Sequence, residues 1–261
     1  MSRLTYGFEF SLKKLMGVSI LDNPMEVFGL IIVIILEVVI ALLIYRAFTS
    51  YRETKMFSTM LWLLAFSFIF VGVIFLILEK VAYSTLGNIG LGDLMTILAL
   101  ITSGAGIVCF DMFSFHTAYP DYEKGLSVIV SSLAAIYIGA LSFAIATGSP
   151  NSEIINNEPV YSLGFDIIAY LTLVPLLAIA PFVFLFFYWR NRDRERGPAL
   201  RGLWIGIAFL FFAFGYISEA APYFPADLAI PLRVFHLIAA SLLYICLTMP
   251  DWFKNRIGWT D

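Results

Sequence analysis

The stretch VFGLIIVIILEVVIALLIY, residues 27–45, decides the fold of this protein. It holds one charged residue, Glu37, among side chains that are almost all aliphatic. A helix of this length measures about 29 Å at 1.5 Å per residue, and the hydrocarbon core of a bilayer is about 30 Å thick. The stretch therefore predicts a helix that crosses a membrane, with Glu37 near its centre.

Six further apolar stretches follow the first one along the chain. Hydrophobic residues make up 61% of the sequence and charged residues 13%, whereas a soluble domain has about 25% charged residues. The sequence therefore predicts an all-α fold, a seven-transmembrane-helix bundle at residues 25–250 in contact with the lipid bilayer. Residues 1–24 are predicted to be an interfacial segment and residues 251–261 a cytoplasmic tail. The seven predicted segments are 25–47, 57–78, 91–115, 126–147, 161–189, 202–222 and 227–248.

The basic residues predict how the bundle is oriented. Of the 16 Lys and Arg, 11 lie in the 1–2, 3–4 and 5–6 connections and the C-terminal tail. Because cytoplasmic loops are enriched in bases, we expect the C-terminus in the cytoplasm and the N-terminus outside, in a multi-pass plasma-membrane protein. Arg3, Lys13 and Lys14 run against this rule, and we interpret residues 4–18 as lying along the interface.

The five arginines of the 5–6 connection, Arg190 to Arg201, have two interpretations. They are explained by the orientation rule alone, or they bind anionic lipid or a cytoplasmic partner. The net charge of −3 and the lack of an extended basic domain indicate that nucleic acid is not a partner. A homo-oligomer and a place in a larger membrane complex both stay open.

Polar residues inside the predicted segments cost free energy on insertion and so point to function. Those that converge in the outer half of the bundle are Asp93, Asp166, Glu219, Arg233 and His236, and Tyr216 shares a helix face with Glu219. The group predicts an outward-facing polar cavity that binds a small ligand. The alternative is a structural network in which Arg233 pairs with Glu219 or Asp166 and ties helices together.

Two further acids suggest proton-linked chemistry. Glu37 has no opposite charge nearby in the sequence, and Asp111 lies toward the inner end of the third segment. Together they extend a polar path from the outer half inward. They favour a proton-coupled transporter or a proton-conducting protein as the second function.

Motifs for catalysis are incomplete. Gly90-Leu91-Gly92-Asp93 resembles the GxGD motif of presenilin-type proteases, but no transmembrane aspartate precedes Asp93. The only Pro-Ala-Leu begins at Pro198, in a predicted loop. The chain has only two histidines, too few for a zinc hydrolase site that uses several histidine ligands. We therefore predict no metal and no cofactor. An enzyme is therefore less expected than a binding protein.

The layout of seven helices with an outer N-terminus resembles that of microbial rhodopsins, and Ser218-Glu219 through Pro225 resembles the outer end of their sixth helix. Their retinal-binding lysine is missing, since Ser241 stands at that place and segment 7 has no lysine. The layout also resembles prokaryotic seven-helix sensor modules. This resemblance implies a sensor or receptor-like protein that signals through a partner protein. A transporter or a structural subunit of a larger complex are the alternatives.

Overall fold

The computed structural model describes residues 24–148, 150–155, 158–220 and 231–259. Helices account for nearly all of them, as the sequence predicted. The predicted interfacial segment lies outside the described residues except for Pro24. The helices are α1 (Pro24–Thr54), α2 (Phe57–Lys80), α3 (Ile89–Ala118), α4 (Glu123–Ala146), α5 (Leu163–Asn191), α6 (Arg196–Ala220), α7 (Val234–Thr248) and α8 (Asp251–Ile257).

Six of these helices, α1 to α6, are long and apolar enough to cross a membrane. A seventh span results if α7 and α8 are taken as one segment, although they meet at an angle of 88°. The prediction of a multi-pass helical membrane protein is thus confirmed for six to seven spans. At about 1.5 Å per residue, the 15 residues of α7 reach about 22 Å, and residues 231–232 before it are also helical.

Several helices extend beyond the apolar stretches that predicted them. α1 continues to Thr54 through Arg46 and Arg52, and α6 begins at Arg196, six residues before the predicted start at 202. Polar residues in these turns keep their backbone hydrogen bonds within the helix while their side chains leave the hydrocarbon. Hydropathy therefore marks the apolar part of each helix and not its ends.

The bundle is built around close contacts between α2 and α3, which small residues allow. A Cβ atom on Gly72 would lie 2.6 Å from Ser103 Oγ, and one on Gly106 would lie 3.0 Å from the Ala65 carbonyl oxygen. α1 packs against α2 and α7, α4 packs against α3 and α5, and α6 lies between α5 and α7. Small residues at such contacts are typical of helices that associate in membranes.

The two ends of the bundle differ in structure. One end carries a short antiparallel hairpin between α4 and α5, with β1 (Glu153–Ile155) paired to β2 (Glu158–Val160). The other end carries α8 and the arginine-rich turn between α5 and α6. These are called the hairpin end and the basic end below. Chain alternation places the last residues of α2 and α6 and the first residues of α3 and α7 at the hairpin end.

Candidate functional site

A cavity of about 230 Å³ lies between α1 and the helices behind it. It reaches from the hairpin end, at Lys80 and Arg233, to the middle of the bundle, at Phe66 and Phe110. Its surface is mostly aliphatic and aromatic. The lining residues are Leu30, Val33, Leu36, Ile40, Phe66, Ile69, Val73, Leu76, Ile77, Lys80, Val81, Ser103, Phe110, Phe212, Tyr216, Arg233, His236, Ala240 and Leu243.

The polar side chains of the cavity are concentrated toward the hairpin end. Lys80 is the last residue of α2, and Arg233 directly precedes α7. His236 follows three residues later, and Tyr216 faces the cavity from α6. Lys80 and Arg233 therefore line one end of a space whose remainder is mostly apolar. This is the arrangement that suits an amphiphile with an anionic head group.

His236 is held in place by α6. The imidazole lies against Gly215, where a Cβ atom would come within 2.8 Å of Cε1 of the ring. The Phe212 ring meets the same imidazole edge to face, with centroids 5.6 Å apart. Since Gly215 has no side chain, the α6 backbone can approach the ring closely. The position of His236 thus depends on a glycine that sequence reasoning did not single out.

Aromatic rings close the cavity toward the basic end. Phe66 and Phe110 meet edge to face with their ring centroids 5.2 Å apart. Trp62, one turn closer to the basic end, stacks on Phe66 at 4.9 Å and contacts Phe113 at 4.6 Å. Such a cluster excludes water well, because offset and edge-to-face pairs fill space efficiently. The cavity therefore ends at this aromatic cluster and does not reach the basic end.

Asp93 lies at the hairpin end in a different environment. Its Oδ1 accepts hydrogen bonds from the Tyr83 hydroxyl at 2.6 Å and from the Ser152 hydroxyl at 2.5 Å. Tyr83 and Ser152 are themselves 3.0 Å apart. The carboxylate thereby joins the end of α2, the start of α3 and the segment that leads into the hairpin. Asp93 does not line the cavity.

A second pair continues this network toward α5. The Tyr161 hydroxyl donates a hydrogen bond to Glu79 Oε1, and it lies 3.5 Å from the Thr96 hydroxyl. Burial, and then the negative charge of Glu79, hold the pKa of Tyr161 well above its usual value of 10.0. The phenol therefore remains a proton donor to Glu79 at physiological pH. Glu79 is 6% exposed, and this bond satisfies a carboxylate that has little access to solvent.

The Gly-Leu-Gly-Asp sequence at residues 90–93 has a structural explanation in this network. A Cβ atom on Gly92 would lie 2.4 Å from the Tyr83 ring, so the ring occupies the space that a side chain would take. Gly90, in contrast, has its nearest neighbour at 3.9 Å. Gly92 allows Tyr83 to cross α3 and reach Asp93. The second glycine of the protease-like motif is thus required for the packing of Tyr83 against α3.

The remaining predicted ligand-binding residues are separated from the cavity or lie outside the described side chains. Asp166 is buried in the first turn of α5, one turn before Tyr170, whose hydroxyl donates to the Ile217 carbonyl at 3.3 Å. Glu219 belongs to the last turn of α6, and its side chain is outside the described part of the chain. Of the six predicted residues, the structure brings Tyr216, Arg233 and His236 together around one space.

Asp111 faces α5 and not the cavity. It is 0% exposed, and its Oδ1 accepts the Ala180 backbone N–H at 3.2 Å. Ala180 directly precedes Pro181, which has no N–H and weakens the helix at this point. Within the described residues, Asp111 Oδ2 has no hydrogen-bond partner. Asp111 thus bridges α3 to the proline-containing part of α5.

Glu37 lies on α1 beside the cavity. Val33, one turn before it, and Ile40, three residues after it, both line the cavity. Among the residues that the structure describes, neither carboxylate oxygen of Glu37 has a hydrogen-bond partner, and both are buried. No described group of three His, Cys, Asp or Glu side chains has a geometry for a metal ion.

Sequence reasoning did not assign Lys80, Tyr83, Ser152 or Tyr161 to a site. Lys80 could have been recognised from the sequence, because it is the only Lys or Arg in the predicted 2–3, 4–5 and 6–7 connections. Nothing in the sequence distinguished Tyr83, Ser152 and Tyr161, since a tyrosine or serine near a helix end is usually exposed.

No protein-family model, curated protein or solved structure matches this chain. Its class is defined by its own geometry: a multi-pass helical membrane protein with a mostly apolar cavity that Lys80 and Arg233 line at one end.

Proposed function

We propose that this protein is a receptor-like membrane sensor that binds a small anionic amphiphile in the cavity behind α1. The cavity carries this proposal: Lys80 and Arg233 lie at its hairpin end, and Phe66 and Phe110 lie at its apolar end. A carboxylate or phosphate head group would bind the cations, and a single hydrocarbon chain would fill the apolar part. Charge-assisted hydrogen bonds supply about 1.5–3 kcal/mol each, and burial supplies about 0.8 kcal/mol per CH₂ group.

The packing of α1 supports a signalling role. α1 packs against α2 and α7, and the cavity separates it from α3 and α6. A ligand that fills this space makes contacts that the empty cavity lacks, and it thereby favours one position of α1 over another. With seven spans, an outer N-terminus and a cytoplasmic C-terminus, as the basic residues favour, the cavity opens on the outer side and α1 reaches the cytoplasm at Thr54.

Ligand binding is tested on the full chain in lipid nanodiscs. Dodecanoate, dodecanol and dodecyltrimethylammonium share one chain and differ in head-group charge, and each is titrated against a fluorescent fatty acid. Dodecanoate should bind at least about tenfold more tightly than dodecanol, since one charge-assisted bond exceeds 1.4 kcal/mol. Arg233→Gln should remove most of this difference, whereas Arg256→Gln, at the basic end, should leave it unchanged. Equal affinity for all three compounds would overturn the proposal.

A proton-linked transport function is the second candidate. Glu37 favours it, because neither of its buried carboxyl oxygens has a hydrogen-bond partner among the described residues. A carboxyl group buried without a partner is stable in the neutral form, and a change of protonation would then accompany any movement of α1. In proteoliposomes, a pH-driven flux that Glu37→Gln abolishes supports this function over the receptor function. Flux equal to that of empty liposomes excludes it.

A further inference from the structure

α8 leaves α7 at a right angle. Met249 closes α7 in the left-handed conformation, with φ of 47°, and Pro250 directs the chain into Asp251–Ile257. The angle between α7 and α8 is 88°. Because α7 packs along α6 within the bundle, a helix perpendicular to it lies parallel to the membrane surface.

The two faces of α8 differ in polarity. Phe253 and Ile257, one turn apart, are buried against the bundle. Trp252 and Arg256, also one turn apart, are exposed, and the exposed fraction of Trp252 is 60%. An indole beside a guanidinium is typical of a helix in the head-group region, where the ring enters the acyl boundary and the base contacts phosphate.

Contacts with α6 hold α8 beside the arginine-rich turn. Arg201 Nε donates to the Cys246 carbonyl at 3.0 Å, and its guanidinium lies 5.7 Å from the centroid of the Trp259 ring. A Cβ atom on Gly197 would lie 3.2 Å from Cα of Trp259 and 3.3 Å from the Gly258 carbonyl oxygen. Arg201 is thus used for internal packing, and the start of α6 touches the residues that follow α8.

This contact brings two groups of charged residues to one rim. Between residues 190 and 196 and between 251 and 256, six bases stand against three acids. The four arginines of the first group are exposed, and the Arg192–Asp193 pair within it is long, at 3.7 Å, and solvated. Trp189, 63% exposed at the end of α5, adds a second indole next to the same turn.

We propose that α8 and the α5–α6 turn, joined through the contact of Gly197 with Gly258 and Trp259, form one docking surface for anionic phospholipid head groups. The surface is basic, carries exposed indoles and lies in the plane expected for a bilayer surface. Each base near an anionic membrane surface contributes about 1 kcal/mol, which is about a fivefold preference. This proposal does not depend on the ligand of the cavity, since no residue of α8 or of the α5–α6 turn lines the cavity.

The test uses the full chain in nanodiscs that contain phosphatidylcholine and phosphatidylglycerol in equal amounts, with one of the two lipids brominated. Subtracting the signal of Trp252→Phe gives the quenching of Trp252 alone. Brominated phosphatidylglycerol should quench Trp252 several-fold more efficiently than brominated phosphatidylcholine. Arg196→Gln/Arg256→Gln removes two of the six bases and should abolish most of this preference, since each base contributes about a fivefold factor.

Two comparisons make the result specific. Arg52→Gln/Lys55→Gln removes two exposed bases that belong to neither α8 nor the α5–α6 turn, and it should leave the preference at Trp252 within about twofold of the parent protein. Arg256→Lys keeps the charge and should keep the preference. Equal quenching by both lipids in the parent protein, or an equal loss in the α1–α2 variant, would overturn the proposal.

Discussion

The imidazole of His236 lies directly on the backbone of α6 at Gly215, where a Cβ atom would come 2.8 Å from Cε1 and 2.9 Å from Nδ1. This contact fixes the ring beside Tyr216 and Arg233 in the cavity. The residues that define the site are therefore positioned by the packing of α6 against α7.

Gly215→Ala should displace the His236 ring. The added methyl group has no space, and overpacking of this kind costs about 1–3 kcal/mol. The free energy of unfolding in detergent should fall by that amount, and binding of dodecanoate should weaken with it. Gly139→Ala is the matched control, because Gly139 lies in the middle of α4 with nothing within 4 Å of its Cβ position. That variant should be unchanged or stabilised by about 0.5–1 kcal/mol. Equal effects of the two substitutions would contradict the packing described for His236.

The two glycines of the Gly-Leu-Gly-Asp sequence should respond differently to alanine. Gly92→Ala places a methyl group 2.4 Å from the Tyr83 ring and should break the hydrogen bond between Tyr83 and Asp93. Gly90→Ala meets nothing closer than 3.9 Å and should leave stability unchanged or slightly higher. Thermal unfolding of both variants, followed by circular dichroism, makes the comparison. A lower unfolding temperature for Gly90→Ala than for Gly92→Ala would rule out the structural explanation of this motif.

Tyr161→Phe should loosen the hairpin end. The substitution removes one hydrogen-bond donor to Glu79, whose carboxylate is 6% exposed, and loss of a hydrogen bond to a buried charged group costs about 1–3 kcal/mol. Hydrogen exchange should accelerate in the residues around Ser152 and at the start of α5. Tyr122→Phe removes a hydroxyl from a side chain that is 63% exposed, and exchange should remain as in the parent protein. Equal exchange rates in both variants would count against the Tyr161–Glu79 contact.

The same tyrosine should make stability fall at alkaline pH. Burial holds the pKa of Tyr161 in the folded protein above the value of 10.0 that applies to the unfolded chain. The folded state therefore binds this proton more tightly, so its stabilisation is complete below about pH 10 and is lost as the pH rises further. Above about pH 10, the unfolding temperature of the parent protein should decrease more steeply than that of Tyr161→Phe. Parallel decreases would show that Tyr161 titrates normally.

Asp111→Asn should be tolerated better than Asp111→Ala. Asparagine keeps an oxygen that accepts the Ala180 N–H, whereas alanine leaves a buried donor without this partner, at about 1–3 kcal/mol. The free energy of unfolding should therefore fall by about 1 kcal/mol or less in the asparagine variant and by more in the alanine variant. If the asparagine variant is instead the less stable of the two, the carboxyl group has a role beyond accepting this bond.

The sequence predicted more of the fold than of the candidate site. Residues 27–45 predicted a spanning helix because length and hydropathy are local properties, and α1 contains all of them. The same reasoning assigned Asp93 and Arg233 to one depth, since helix ends give depth. Depth does not indicate which neighbouring helix a side chain faces. Asp93 accepts a hydrogen bond from Tyr83, whereas Arg233 lines the cavity. The two residues differ because tertiary packing determines which helices are neighbours.

α8 shows the same limit at the basic end. Residues 251–261 were predicted as a cytoplasmic tail without assigned secondary structure, and within them Asp251–Ile257 forms a helix whose buried residues are Phe253 and Ile257. A spacing of four residues in so short a segment does not by itself predict a helix. The contacts of Arg201 and Gly197 with the residues around it stabilise the observed arrangement.

Photoaffinity labelling tests the ligand-binding cavity most directly. A fatty acid with a diazirine at the end of its chain is bound to the full protein in nanodiscs, irradiated, and mapped by mass spectrometry. Labelling is expected at the apolar end of the cavity, at Phe66, Phe110 and Leu243, and unlabelled dodecanoate should compete with it. Labelling that is confined to exposed residues of the outer surface, such as Leu171 and Phe182, and that dodecanoate does not reduce would contradict it.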